Sequence, residues 1–581
     1  MKPKRTDPHY RRFSRSFLPM TLLILLLSIA IVQSRDQDLP RDRHEPYDFK
    51  GEKGMVVAAH PLAAEAGLDM LKRGGNAVDA AIATVFALNV VEPFASGIGG
   101  GGFMVIYMAE SKELTVINYR EKAPGQAFPG MFHRNAQVDE KLRKEHGLAV
   151  AVPGAPAGWD YALKKYGTRK LPDVIQKAVE YAEQGYTISS TFSQINKDEY
   201  EKVLLLGGED TVYLNNGFPY EQGDSFKNPE LAQFFKTLAK KGIEEFYRGE
   251  TAQKIVRAVR DKGGILSLDD LKDYTVLEHK PLRGRYKDYQ IYSNSPPGSG
   301  GLHMVQLLNI LEGWPISEWG PNSASYIHHF SEALRFVFAD RARYLGDGEK
   351  VRIPTEQLIS KDYASAISHQ IKANSTLDSY PYGLFDEKQH EAESTTHLCV
   401  VDENGNIVSL TQSINHFFGS GIVPEGAGFL LNNHMDDFAR TLDSPNAPRS
   451  GHRPVSSMGP MIIFKDNTPF LILGSPGGTR IFSTLTQIVM NIIEFGMSLD
   501  EAIEAPRFFT YSVAGRPRAV HYESRIPENI IKKLTSLGHE VEKRLKFDKY
   551  FGGAQGIMIV PGKKLILGGA DSRRDGSGAG Y

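Results

Sequence analysis

Thr395-Thr396-His397 stands at the head of a short apolar strand, His397 to Val401, directly after a polar run from Asp386 to Ser394. A threonine hydroxyl is a poor nucleophile until a base sits beside it, and an α-amino group on the same residue can be that base. Such an amine titrates near ~8, so a working fraction is neutral at physiological pH. Cutting between Ser394 and Thr395 would create nucleophile and base in one event. Strand propensity alone also accounts for two threonines before a strand, so the neighbouring residues decide. Asp402-Glu403-Asn404-Gly405-Asn406 is a hairpin signal, and Ile407 to Asn415 reads as the returning strand. An odd-length loop centred on Asn404 sets Thr395 opposite Ser413; a two-residue Asn-Gly loop sets Ser413 on the diagonal. Either way a second hydroxyl is within reach of Thr395, and Asn415 shares that face. Thr396 points the other way, which leaves Thr395 as the candidate nucleophile.

The elements that must hold this hairpin are legible in outline. His60 to Arg73 has helical spacing and ends at Gly74-Gly75, a credible helix stop. Ala80 to Val91 reads as a second, mostly apolar helix destined for burial. Phe103 to Tyr107 and Leu114 to Arg120 read as paired strands after the glycine run Gly97 to Gly102. Residues 160–280 carry helical pattern rich in Lys and Glu, and Ser331 to Tyr344 is a strong helix ending near Asp340 and Arg341. Beyond the junction, hairpins and glycine turns dominate until Leu499 to Ala505. No internal repeat or low-complexity tract interrupts the chain.

Composition bounds the chemistry. The 581 residues are 41% hydrophobic and 24% charged with a net charge of −1. That is an ordinary globular balance with no electrostatic footprint for nucleic acid. Length alone suggests three or four domains. Six basic residues from Lys2 to Arg15 precede an apolar run, Leu22 to Val32, broken only by Ser28. This pattern predicts a signal peptide over residues 1–34, or an uncleaved membrane anchor, and export to the periplasm or beyond. Residues 35–53 read as an extension. Cys399 is the only cysteine, which excludes an intramolecular disulfide, and its apolar strand points to packing rather than thiol chemistry.

Eight ordered motifs resemble the γ-glutamyltranspeptidases, a family of N-terminal-nucleophile hydrolases. They are GGNAVDAA (Gly74 to Ala81), PFASGIGGGGF (Pro93 to Phe103), YREKAP (Tyr119 to Pro124), VPGAPAGW (Val152 to Trp159), TTH (Thr395 to His397), NNHMDDF (Asn432 to Phe438), PVSSMGP (Pro454 to Pro460) and GSPGGTRI (Gly474 to Ile481). The resemblance spans nearly everything after about residue 50, including the tail Gly568 to Tyr581. It implies an α+β fold, a four-layer α-β-β-α sandwich that overrides the length-based domain count. It also implies a heterodimer of the chain's own fragments, 35–394 and 395–581. The implied activity is transfer of a γ-glutamyl group from glutathione or similar donors to water or to amino-acid and peptide acceptors. No metal or cofactor is expected.

A γ-glutamyl donor presents an α-carboxylate, an α-ammonium and a side-chain carbonyl, needing a cation, an anion and an oxyanion hole. Arg120 is the candidate for the carboxylate, because guanidinium matches it with two prongs. By the resemblance, Ser456 and Ser457 join Arg120, Asp437 takes the ammonium and Asn415 contacts the head group. Gly477-Gly478 supplies backbone N–H groups for the oxyanion; the sequence lacks the Lys-Ser/Thr ending of a phosphate loop. Asp436, Asp437, His434 and His452 fit no standard metal spacing. Two departures stand out. His434 replaces the usual Gln or Glu of the amine pocket, and Asp437 is expected to raise its pKa. The stretch from Asp437 to Ser456 lacks the tyrosine-bearing lid of many relatives, so an open cleft is expected. The rivals on this fold are a cephalosporin acylase and a poly-γ-glutamate depolymerase; an unprocessed binding protein is the rival from another class.

Overall fold

The computed structural model describes residues 48–135, 137–380, 394–513 and 516–581. The expected signal segment 1–34 and the polar run up to residue 393 lie outside the described residues.

Two seven-stranded antiparallel sheets carry the fold. Residues before the junction give β1 (Phe49–Gly51), β2 (Met55–Ala58), β3 (Gly101–Met108), β4 (Glu113–Asn118), β5 (Leu277–His279), β6 (Leu282–Tyr286) and β7 (Tyr289–Ser293). Residues after it give β8 (Thr396–Val401), β9 (Ile407–Ser413), β10 (Met461–Lys465), β11 (Thr468–Gly474), β12 (Gln555–Ile559), β13 (Ile566–Ala570) and β14 (Ser577–Gly580). The first sheet runs β14-β2-β8-β9-β3-β4-β5 and the second β1-β13-β12-β11-β10-β7-β6.

Alternation along the strands builds the layers. In β8, Cys399 and Val401 face the second sheet, joining Ile407, Ile462, Ile472 and Ile557 in the inter-sheet core. Leu398 and Val400 point outward to α1 (Pro61–Lys72) and α2 (Ala77–Val91). This is the period-two rule of a strand buried on both faces. On the far side, α3 (Gly300–Leu311), α4 (Ala324–Tyr344) and α5 (Ile481–Ile493) cover the second sheet through Leu307, Phe338 and Leu485 against Met461 and Leu473. The stack is therefore α-β-β-α.

Local chemistry fixes the ends of these elements. His60 accepts from Leu62 N–H to start α1, and Gly74 follows its end at φ 78°, where glycine carries no Cβ penalty. Asn76 and Asp79 cap α2 reciprocally. This helix is buried on every side, which a run of alanine and valine allows.

Candidate active site

The hairpin register settles the geometry at the junction. Val401 pairs with Ile407 and Thr396 with Gln412, leaving a five-residue loop centred on Asn404. Asp402 closes that loop by accepting from the N–H groups of Asn404 and Asn406, while Gly405 turns at φ 80°. The odd-length alternative is thus the one adopted, and Thr395 faces Ser413. Thr395 Oγ donates to Ser413 Oγ at 3.2 Å, and that oxygen also accepts from Asn415 N–H at 2.7 Å. Thr395 itself has φ 119°, a conformation that is costly for a β-branched residue. Before it, the Ser394 hydroxyl donates to Ala95 C=O at 2.9 Å. After it, His397 packs so tightly on β11 that a Cβ at Gly474 would lie 2.2 Å from the imidazole.

Arg120 follows β4 and is fully buried. Its Nε donates to Pro454 C=O at 3.2 Å, Nη1 to Glu121 at 3.1 Å and Nη2 to Asp437. The expected carboxylate-binding cation and ammonium-binding anion are therefore paired with each other. Glu121 is ion-paired with Arg120 inside the core, both side chains being fully buried. A Cβ at Gly101 would stand 2.6 Å from its carboxylate, so glycine there is what admits it. Burial alone would raise the Glu121 pKa, but His434 and Arg120 outweigh it and hold the acid below its usual range.

His434 sits with Nδ1 2.6 Å from Glu121 Oε1 and is almost fully buried. Its expected upward pKa shift does not occur. Burial lowers it, and Arg120 pushes it further in the same direction, against the opposing pull of Glu121 and Asp437. The two adjacent acids divide their work. Asp436 is held by Arg143 Nε at 2.8 Å and His416 Nε2 at 2.8 Å, which leaves Asp437 to Arg120. Arg143 and His416 carried no signal in the sequence, because both lie far from Asp436 along the chain.

Ser456 and Ser457 close the other wall. Ser456 Oγ accepts from Met458 N–H at 3.2 Å, and Ser457 Oγ accepts from Arg341 at 3.3 Å. Arg341, in the last turn of α4, is a cleft residue that sequence reasoning placed only as a helix end. Gly477 and Gly478 turn after β11 at φ 126° and 56°, which backbone with a side chain rarely adopts. One cleft is lined by Thr395, Ser413, Asn415, His434, Asp437 and Gly478, with Ser456, Ser457 and Arg341 beside them. Among the described residues no three of His, Cys, Asp and Glu converge on a metal position. His452 is not among the cleft residues.

Stacked sheets between two helical layers, with a hydroxyl residue heading a central strand at a cleft, define the N-terminal-nucleophile hydrolase class. A gamma-glutamyltranspeptidase family model matches residues 63–581. The glutathione hydrolase proenzyme of Bacillus subtilis strain 168 is 37% identical over 97% of this chain and 98% of its own length. A cephalosporin acylase structure from Bacillus halodurans superimposes with a TM-score of 0.83 at 30% identity, covering 94% of this chain and 98% of that one. A γ-glutamyltranspeptidase chain from Helicobacter pylori is 40% identical, with a TM-score of 0.53 over 55% of this chain and 92% of its own. The chain belongs to the γ-glutamyltranspeptidase family.

Proposed function

We propose that this protein is a self-processing γ-glutamyltransferase and glutathione hydrolase, exported by its N-terminal segment. Thr395 Oγ attacks the Ser394 carbonyl, the Ser394–Thr395 C–N bond breaks, and the freed α-amine takes the hydroxyl proton. Water then hydrolyses the resulting ester, leaving fragments 35–394 and 395–581 with the Thr395 hydroxyl restored. In turnover the same oxygen attacks the donor's γ-carbonyl, the α-amine receives its proton, and the N–H groups of Gly477 and Gly478 stabilise the oxyanion. The protonated amine then returns its proton to the leaving amine. Water or an acceptor amine takes the γ-glutamyl group from Thr395.

The observation that carries this reading is the Thr395–Ser413 hydroxyl pair sharing one cleft with Asp437, whose carboxylate reaches back to the buried Arg120. A zwitterionic head group can exchange partners with that ion pair. Its carboxylate takes the Arg120 fork, assisted by Ser456 and Ser457, while its ammonium takes Asp437, flanked by Asn415 and His434. Each charge is traded for a like charge, so no buried ion is left alone. This favours an amino-acid head group over the acyl chain of a cephalosporin acylase substrate. A chromogenic γ-glutamyl anilide assayed with and without a dipeptide acceptor tests the reading. Release of the anilide, faster with acceptor, is expected; an inert protein with an intact Ser394–Thr395 bond would overturn it.

A further inference from the structure

The back of the junction holds a buried contact between an acid and an arginine that the proposed chemistry leaves unused. The turn after α2 begins at Glu92, whose carbonyl accepts from Ala95 N–H at 3.1 Å and Ser96 N–H at 3.3 Å. The same turn offers Ala95 C=O to Ser394 and Phe94 C=O to Phe418 N–H at 2.8 Å, so it grips both the junction and the segment after β9. The Glu92 carboxylate lies 3.8 Å from Arg574 Nη1. That same nitrogen donates to Thr395 C=O at 3.0 Å. Both side chains are at least 96% buried, being 1% and 4% exposed, and the guanidinium lies 5.5 Å from the Phe417 ring.

Burial pushes the Glu92 carboxyl up to about 8, although Arg574 and the Thr396 hydroxyl pull it down. The guanidinium meanwhile keeps its hydrogen bond to the Thr395 carbonyl. Thr395 in turn holds the costly φ of 119° at the bond expected to break.

We propose that Arg574, steadied by Glu92, is a positioning residue for Thr395. It holds the Thr395 carbonyl in the conformation that aims the hydroxyl at Ser413, and its charge favours the neutral form of the α-amine once that amine is free. The inference rests on the nucleophile assignment above. Glu92 and Arg574 face Thr395 from behind, with Asp575 acting on Glu92 from further off. His434, Asp436, Asp437 and Arg341 line the same cleft as Thr395.

The test uses full-length Arg574→Met and Arg574→Lys. Conversion to two fragments is followed on denaturing gels, and kcat is measured against pH per active site titrated with a covalent γ-glutamyl analogue. Arg574→Met should cleave on the order of tenfold more slowly as the strain at Thr395 relaxes. The acidic limb of its kcat profile should move up by about one pH unit toward an ordinary amine. Arg574→Lys should keep the parent limb. A Met variant that melts earlier yet keeps the parent cleavage rate and limb would show a merely structural role and overturn the proposal. Should the Met chain not cleave at all, Arg574→Lys decides: cleavage with the parent limb supports the proposal, and a folded but uncut Lys chain overturns it. Thr395→Ala is the separate control, since a chain that still cuts itself without the hydroxyl would remove the nucleophile assignment, whatever Arg574 does.

Discussion

At the scale of single residues, the charges at the cleft are already paired with one another: Arg120 with Asp437 and Glu121, and His434 with Glu121. Arg120 is already satisfied by Asp437, Glu121 and Pro454 C=O, so its geometry as well as its charge is committed. Arg120→Lys keeps the charge and loses the fork; charge-assisted bonds of this kind contribute about 1.5–3 kcal/mol. Donor KM should rise by roughly tenfold or more, the equivalent of about 1.4 kcal/mol, in a chain that still processes itself. An unchanged KM in the processed variant would remove Arg120 from the donor site. His434 gives a pH prediction whose sign follows from its lowered pKa. The folded imidazole stays neutral until the pH falls below the ordinary ~6.5. Protonation there would add a cation beside the donor's ammonium. Affinity for an unreactive γ-glutamyl analogue should therefore hold through neutrality and fall only in the acid range, with His434→Gln flattening the fall. Stability follows the same sign, because the unfolded chain takes this proton first and acid then penalises the fold. An equal pH slope in both proteins would place His434 outside the binding equilibrium.

At the scale of elements, the hairpin was readable because its signals are local. Asn404-Gly405 marks the turn, and alternation between Thr395 and Thr396 picks the residue that faces Ser413. What stayed open was the register, because it depends on Asp402 using its side chain to stretch the loop to five residues. The sequence also placed α1, α2 and α4, but began α2 and α4 late: Ala77 rather than Ala80, Ala324 rather than Ser331. The capping residues Asn76 and Ser323 lie ahead of the strongest apolar periodicity, which is why the pattern alone missed them. Arg341 and the Glu92–Arg574 pair were illegible for a different reason, since they reach the site through sheet packing between distant segments. The short Phe438 to Val455 segment carries its own expectation. Asn446 folds it back on itself, bonding to Asp437 C=O at 2.8 Å and accepting from Val455 N–H at 3.0 Å. With so short a connection between Asp437 and Ser456, γ-linked oligoglutamate should compete with glutathione for the enzyme. Glutathione turnover unaffected by millimolar oligoglutamate would argue against entry of longer donors.

At the scale of the whole molecule, the order of strands decides what cutting at Ser394–Thr395 does. β8 and β9 follow the junction, yet they lie between β2 and β3, which precede it; the second sheet likewise sets four later strands between β1 and β7. Neither sheet is complete without strands from both parts. The active protein should give two bands on a denaturing gel, one peak at full mass in native gel filtration, and a fragment beginning at Thr395. Thr395→Ala should remain one band and lose turnover. A single uncut chain with full activity would sink the self-processing reading. The interleaving also gives the molecule a memory of its own synthesis. Before the cut, unfolding and refolding are events within one chain; afterwards, unfolding releases two partners that must find each other again. Dilution then opposes recovery, so the melting midpoint of the mature enzyme should climb with protein concentration while that of Thr395→Ala stays fixed. Once cut in this way, the protein should recover from unfolding only where its two fragments stay concentrated enough to meet again.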